Sequence, residues 1–336
     1  MSDVGAKAGE TRPDVRRVLG AYDLSEASVT PITMGLINET FRVDTREGSF
    51  ALQRLHPAFA GELNEDLDAI TARVAEAGLL TPRLLRTRDG AAFVEDEGRA
   101  WRMITWLDGE AFHSTDGPEK LASAGRLVAR FHGALVGLDH KFAFSRPGAH
   151  DTAAHRKRLM ERAKKPHPRS DALGPLASAI TGYPLPKLPE LPLRIIHGDL
   201  KFSNILFRGD EAVALVDLDT LQWGSVVVEL GDAFRSWCNP LGEDTEEPAF
   251  RRDLYDAAVG GYLEAAGAWL SEAERTALPL GPERIAFELS TRFCLDAFEE
   301  SYFRWDDTRF ASASEHNEMR ARAQFFLAKS AAQQLR

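Results

Sequence analysis

Apolar and polar positions alternate through FRVDT and SFALQRL on either side of Glu47-Gly48, and again through AAFVED and AWRMITW, near Gly90 and Gly98. A period of two bounded by turn residues predicts strands, so the chain from about Ile32 to Thr105 reads as mostly β. One stretch of 3.6-residue period interrupts it. It runs from Asn64, a capping residue, through LDAITARVAEA to Gly78, with Leu67, Ile70, Val74 and Ala77 on one face. After Trp106 the pattern turns helical. PEKLASAGRLVARFHGALVGL begins at Pro118 and carries a stripe of Leu121, Ala124, Val128, Phe131 and Leu135. A strand-rich island, LRIIHGDLKFSNILFRGDEAVALVDLDT, breaks the helical run, with two apolar segments flanking an Arg208-Gly209-Asp210 turn. The pattern predicts an α+β chain of two lobes: a small β-rich lobe over 1–105 and a larger, mainly helical lobe over 106–336. A hinge near Thr105 to Asp108 would set a ligand cleft between them.

A chain of 336 residues suits two packed lobes, and 44% hydrophobic with 27% charged residues is ordinary globular composition. The formal net charge of -10 repels a phosphate backbone, so nucleic acid is not an expected partner. The two cysteines, Cys238 and Cys294, stand far apart without neighbouring ligands and read as buried, inert thiols. MSDVGAKAGETRPDV holds no apolar run, and no uncharged stretch nears the ~20 residues that cross a bilayer, so a soluble, cytoplasmic protein without membrane partners is expected.

Polar residues cluster where the island's strands stop: His197, Asp199, Lys201, Ser203 and Asn204, then Asp217 and Asp219. Phosphoryl transfer needs a carboxylate beside the attacking hydroxyl and hard oxygen ligands for magnesium, and Asp199, Asn204 and Asp217 supply these. The five-residue spacing from Asp199 to Asn204 matches the protein-kinase catalytic loop H-R-D-x-x-x-x-N, with Gly198 in place of the arginine. Taken alone, Asp217 and Asp219 also read as a strand end in a solvated turn. His197 reads as a buried ring bonded to the loop backbone. Lys201 has two readings, a charge stabilising the transferring phosphoryl group and a solvated lysine.

HGDLKFSN followed by ALVDLDT resembles the aminoglycoside phosphotransferase and choline kinase superfamily, of the bilobal protein-kinase-like fold. More narrowly, VDLDT with ELGDAFRSW, HDTAAHRKRL, GLINETFRV with FALQRLH, RFCLDAFEESYF and HNEMRARAQFFL resemble the N-acetylhexosamine 1-kinase group, over about Gly35 to Leu327. The resemblance implies an ATP- and Mg2+-dependent kinase. Asp199 would be the general base, with Lys201 beside it. Asn204 and Asp217 would bind magnesium, Asp219 would help position the metal or the second phosphate, and Asp232 would brace the catalytic loop. The acceptor would be a small molecule's hydroxyl, in the first place the anomeric hydroxyl of an N-acetylhexosamine-like sugar. An aminoglycoside, a choline-like or another metabolite is the alternative, with a nucleotide-binding pseudokinase behind it.

For the nucleotide, the phosphate loop would be TMGLINET, using Gly35 with the Asn38 and Thr40 side chains. Where protein kinases carry a third-strand lysine this chain has Gln53, followed by Arg54, a pair shared with the hexosamine group; Arg54 or a neighbour would supply the cation, with Glu65 or Asp68 its partner or simply part of a solvated helix face. Adenine would sit against backbone from Thr105 to Leu107. The resemblance points to Asp151, Arg292 and Tyr302 around the acceptor, with His150 second; Leu36 replaces the histidine usual among the hexosamine kinases. Arg292 lies in an apolar helix, where it needs either an ion-pair partner or a ligand. The basic run from Arg156 to Arg169 reads as a solvated helix face. Neither G-x-x-x-x-G-K-[ST] nor G-x-S-x-G occurs, so a P-loop enzyme or a serine hydrolase lacks its motif.

Overall fold

Alternation in the first part of the chain does produce a sheet. The computed structural model describes residues 15–32, 38–115, 117–144 and 150–336. It divides into two compact units, the first of Met1–Ala72, Pro82–Leu107 and Phe142–Phe144, the second of Arg73–Thr81, Asp108–Lys141 and Ser145–Arg336. In chain order from Val15, the first elements are α1 (Val15–Gly20), β1 (Ser28–Ile32), β2 (Glu39–Asp44), β3 (Ser49–Arg54), α2 (Leu63–Glu76), β4 (Leu84–Leu85), β5 (Val94–Asp96) and β6 (Arg99–Thr105). The sheet is antiparallel in the order β1-β2-β3-β6-β4, with β5 also on β6. Its edge strand β1 was not legible in the pattern, because SVTPI buries no residue fully and carries Pro31, which an edge tolerates.

On one face of this sheet Val43, Leu52, Trp101 and Met103 close over Val18, Leu19 and Tyr22. Period-2 alternation settles the other face. Cross-strand partners share a face, so Gln53 lies with Thr40 and Arg102, while Arg54 lies with Glu39 and Trp101 on the core side. In α2 the expected Leu67, Ile70 and Val74 are buried, but Ala77 is exposed: the helix ends at Glu76, the chain turns at Gly78, and Leu79 is buried instead.

The second unit is mainly helical. Its elements are β7 (Glu110–Ala111), α3 (Pro118–Ala134), α4 (Thr152–Arg162), α5 (Ser170–Thr181), β8 (Arg194–Ile196), β9 (Ile205–Arg208), β10 (Glu211–Leu215), β11 (Gln222–Gly224), α6 (Val226–Trp237), α7 (Arg252–Ala266), α8 (Glu272–Ala277), α9 (Leu280–Glu299) and α10 (Ala313–Leu335). β9 and β10 form the hairpin expected at Arg208-Gly209-Asp210, extended by β7, while β8 pairs with β11. The α3 stripe of Leu121, Ala124, Val128, Phe131 and Leu135 is wholly buried. Each Leu or Phe so buried contributes about 1.5–3 kcal/mol. Helices α3 and α7 cross backbone to backbone. A Cβ on Gly125 would lie 2.1 Å from the Ala258 carbonyl oxygen, and one on Gly261 would lie 2.0 Å from that of Ala122. α9 is the buried spine, packed by α6 and α10.

Cys238 and Cys294 are free and buried, and burial pushes both thiols up, Cys294 to about 12. The basic run is less solvated than its composition suggests. Arg156 donates to the Thr181 and Tyr183 carbonyls, Arg162 to that of Phe298, and Arg158 pairs with Glu299. Among the described residues no helix is long and apolar enough to cross a membrane.

Candidate active site

The segment from β8 to α6 is held by side chains that bond its backbone. His197 donates from Nε2 to the Val216 carbonyl at 2.9 Å, and its Nδ1 accepts the Asp199 N–H at 3.3 Å, so the ring is a strut between the loop's two halves. Thr220 Oγ1 donates to the His197 carbonyl at 2.8 Å, and Trp237 Nε1 to that of Leu200, also at 2.8 Å. Glu229 Oε1 accepts the Gly198 N–H at 2.7 Å. The brace is therefore Glu229, where the sequence pointed to Asp232. These two residues are one turn apart on α6, and Asp232 is paired instead with Arg235 at 2.9 Å.

Gly198 explains its own departure from H-R-D. Its φ is +84°, and a Cβ there would lie 2.3 Å from the Thr220 carbonyl oxygen, so this loop has room for neither arginine nor alanine.

Next to it Asp199 Oδ2 lies 2.9 Å from Lys201 Nζ, and Asn204 Nδ2 donates to the Asp199 carbonyl at 2.8 Å and to Oδ2 at 3.3 Å. The side chain of Asp199 is thus oriented by two donors yet remains 30% exposed, as a proton acceptor must be. Burial works against the Lys201 charge, but Asp199, Asp217 and Asp232 outweigh it and raise its pKa.

Asp217 follows β10 with left-handed backbone, φ +60° and ψ 54°. Outliers of this kind are held only where the surroundings fix them. Burial, then the charges of Asp219 and Asp199, push its carboxyl above the usual range. A carboxylate so crowded gains from a cation. Asn204 spends its amide nitrogen on Asp199, which leaves Oδ1 as the group a hard cation could use. Among the described residues no three His, Cys, Asp or Glu side chains form a ready-made metal cage. The donor set suits magnesium, which takes one or two protein ligands and completes its shell with water and phosphate oxygens.

In the first unit, the residues expected at the nucleotide are tied to one another. Gln53 Nε2 donates to Thr40 Oγ1 at 3.2 Å, and its Oε1 accepts from Arg102 Nε at 2.8 Å. Arg54 pairs with Glu39 at 3.0 Å and packs on Trp101. It lies across the sheet from Gln53, and the guanidinium beside Gln53 belongs to Arg102, which the sequence reading missed. Glu65 and Asp68 pair with Arg86, at 2.8 and 2.6 Å, rather than with Arg54. Asn38 Oδ1 accepts the His56 N–H, and Gly35 lies outside the described residues. The N–H groups of Thr105 and Trp106 bond to Arg83 and Ser49 carbonyls, leaving that of Leu107 without a partner among the described residues.

In the second unit Asp151 accepts the Ala154 N–H at 2.9 Å and caps α4. His150 Nδ1 lies 3.0 Å from the buried Glu288, which also takes Thr152 Oγ1. Arg292 makes no hydrogen bond or ion pair among the described residues; its guanidinium sits 5.6 Å from the ring centres of both Tyr302 and Phe303. Tyr302 is 69% exposed. The loop bearing these rings is turned by Asp296, whose carboxylate accepts the N–H groups of Ser301, Tyr302 and Phe303.

Residues 28–274 match the phosphotransferase enzyme family. A homoserine kinase from Bradyrhizobium diazoefficiens is 30% identical over 271 residues, 78% of this chain and 77% of its own. Among solved structures, an aminoglycoside phosphotransferase from Alicyclobacillus acidocaldarius superposes with a TM-score of 0.64 at 16% identity, covering 97% of both chains. A microcompartment-associated aminopropanol kinase gives 0.62 at 18%, covering 96% of this chain and 98% of its own. The broad resemblance and the kinase-like α+β fold are borne out, whereas closeness to the N-acetylhexosamine group is not shown. The chain belongs to the phosphotransferase enzyme family and is a phosphotransferase that acts on a hydroxyl group.

Proposed function

We propose that this protein transfers the γ-phosphoryl group of ATP, with magnesium, to the hydroxyl of a small amino-bearing acceptor of the homoserine or amino-alcohol class. The observation that carries the reading of the loop is the Asp199 carboxylate, partly open to solvent and set by Lys201 and Asn204 beside the crowded Asp217. The acceptor class is supported by the identity with a homoserine kinase across three-quarters of both chains. This displaces the sugar acceptor in favour of the amino-alcohol alternative.

Asn204 and Asp217 would hold magnesium, with Asp219 beside them, and the ion would supply charge neutralisation to the nucleotide phosphates. Asp199 accepts the proton of the acceptor hydroxyl as it attacks. Lys201, paired with Asp199, places positive charge beside the transferring group. Gln53 and Thr40 line the phosphate side of the sheet, with the cation on that face coming from Arg102 rather than Arg54. The Leu107 N–H is the adenine contact. Arg292, unpaired and backed by Tyr302 and Phe303, suits the carboxylate of an amino-acid acceptor. Asp151, committed to a helix cap, shapes the acceptor side through α4.

The test is ATP consumption with magnesium against L-homoserine, aminopropanol, ethanolamine, choline, an aminoglycoside and N-acetylglucosamine. Turnover with homoserine or an amino alcohol supports the reading. A strong preference for N-acetylglucosamine overturns the acceptor class.

A further inference from the structure

Three buried side chains from three helices end on the catalytic loop. Tyr262 Oη on α7 lies 3.0 Å from His132 Nδ1 on α3, His132 Nε2 lies 2.5 Å from Glu229 Oε2 on α6, and Glu229 Oε1 takes the Gly198 N–H at 2.7 Å. Tyr262, His132 and Glu229 are 0%, 1% and 3% exposed. The donors converge on Glu229: Tyr262 O–H to His132 and His132 N–H to Glu229 from one side, and Gly198 N–H to Glu229 from the other. Such a chain polarises each member in turn.

None of these groups meets the reacting atoms, and burying them costs more than filling the same volume with apolar side chains. Their effect is on the loop. A carboxylate rotates broadly about its last torsion. With Oε2 held by His132, Oε1 is fixed toward Gly198, and the Gly198 peptide sits one residue before Asp199. The other anchors of the loop hold the His197 ring and carbonyl, the Asp199 N–H and carbonyl and the Leu200 carbonyl, so the Gly198 N–H depends on Glu229. The close crossing of α3 and α7 at Gly125 and Gly261 brings the helices bearing His132 and Tyr262 together.

We infer that His132 is a positioning residue, which orients Glu229 and through it sets the Gly198 peptide and the aim of Asp199. The inference rests on Asp199 being the base. A displacement near 1 Å at a reacting group costs about a hundredfold in rate.

The test compares His132→Leu, His132→Gln, which keeps a side-chain donor, and Glu229→Gln. It reads amide hydrogen exchange at Gly198 and steady-state kinetics with ATP, magnesium and L-homoserine, well below each Tm. His132→Leu is expected to speed Gly198 exchange and lower kcat by about tenfold or more each, with KM for ATP within about twofold. His132→Gln should recover most of both. The His132→Leu and Glu229→Gln effects should not add, because they act through one hydrogen bond. Unchanged Gly198 exchange in folded His132→Leu overturns the inference, as does a Gln variant no better than Leu or a kcat loss that only tracks the unfolded fraction. If His132→Leu does not fold, Glu229→Gln carries the same test. Asp199→Asn with normal turnover would sink the base assignment instead, while the exchange result would stand independently.

Discussion

Replacing Gly198 by alanine forces a side chain into backbone that has no space for it. Two penalties follow. A φ of +84° costs an L-residue about 1–2 kcal/mol, and a Cβ 2.3 Å from the Thr220 carbonyl oxygen requires the loop and the turn after Asp217 to separate, an overpacking cost of about 1–3 kcal/mol. Gly209 isolates the first penalty from the second, since its φ is +60° but nothing lies within 4 Å of an added Cβ. With an unfolding entropy of about 2.1 cal/mol/K per residue, 1 kcal/mol shifts Tm by about 1.5 °C in a chain of this length. Gly209→Ala should therefore lower Tm by about 2 °C with normal kcat. Gly198→Ala should lower it by about 3–7 °C and reduce kcat at least tenfold, because the strain falls beside Asp199. Thermal melts and steady-state kinetics on the two variants decide the matter. Equal Tm losses, or full activity in Gly198→Ala, would refute the close approach to Thr220.

Asp217→Asn should raise Tm by about 1–2 °C without magnesium, because it removes a buried charge crowded by Asp219 and Asp199 while asparagine tolerates the left-handed backbone. The same variant should lose magnesium-dependent ATP binding in calorimetry; a lower Tm would contradict the crowding. For His150, burial opposes the charge but Glu288 prevails, so its folded pKa is raised. Its pairing therefore stabilises fully below the unfolded value of about 6.5 and fades as pH rises through the raised folded value. The Tm gap between wild type and His150→Gln should be about 1–2 °C at pH 6 and shrink toward pH 9; a gap that widens with pH reverses the sign. Arg292→Ala should raise the homoserine KM about tenfold or more with KM for ATP unchanged. Equal KM values for homoserine would remove Arg292 from the acceptor site.

What could be read before the fold was known followed from local rules. Period two gave β2, β3 and β6, period 3.6 with Pro118 gave α3, and HGDLKFSN with VDLDT gave the loop and the family. What could not be read depends on which of several similar residues faces a given neighbour. Glu229 and Asp232 are three residues apart on one helix, and only packing shows that the first meets Gly198 and the second Arg235. Gln53 and Arg54 are adjacent, and strand register alone puts them on opposite faces, with Arg102 from β6 beside Gln53. His132 sat in the predicted α3 as one more helical residue, since nothing local marks a partner 97 residues away. The acceptor was not legible for a different reason: segments shared across a family report the chemistry they carry out more faithfully than the molecule they carry it out on.

The most direct measurement is ADP release with ATP, magnesium and L-homoserine by the wild-type chain and by Asp199→Asn. Homoserine-stimulated turnover that falls about a hundredfold or more in the variant, with ATP affinity kept, is the expected result. Turnover in Asp199→Asn close to wild type would contradict the assignment of the base.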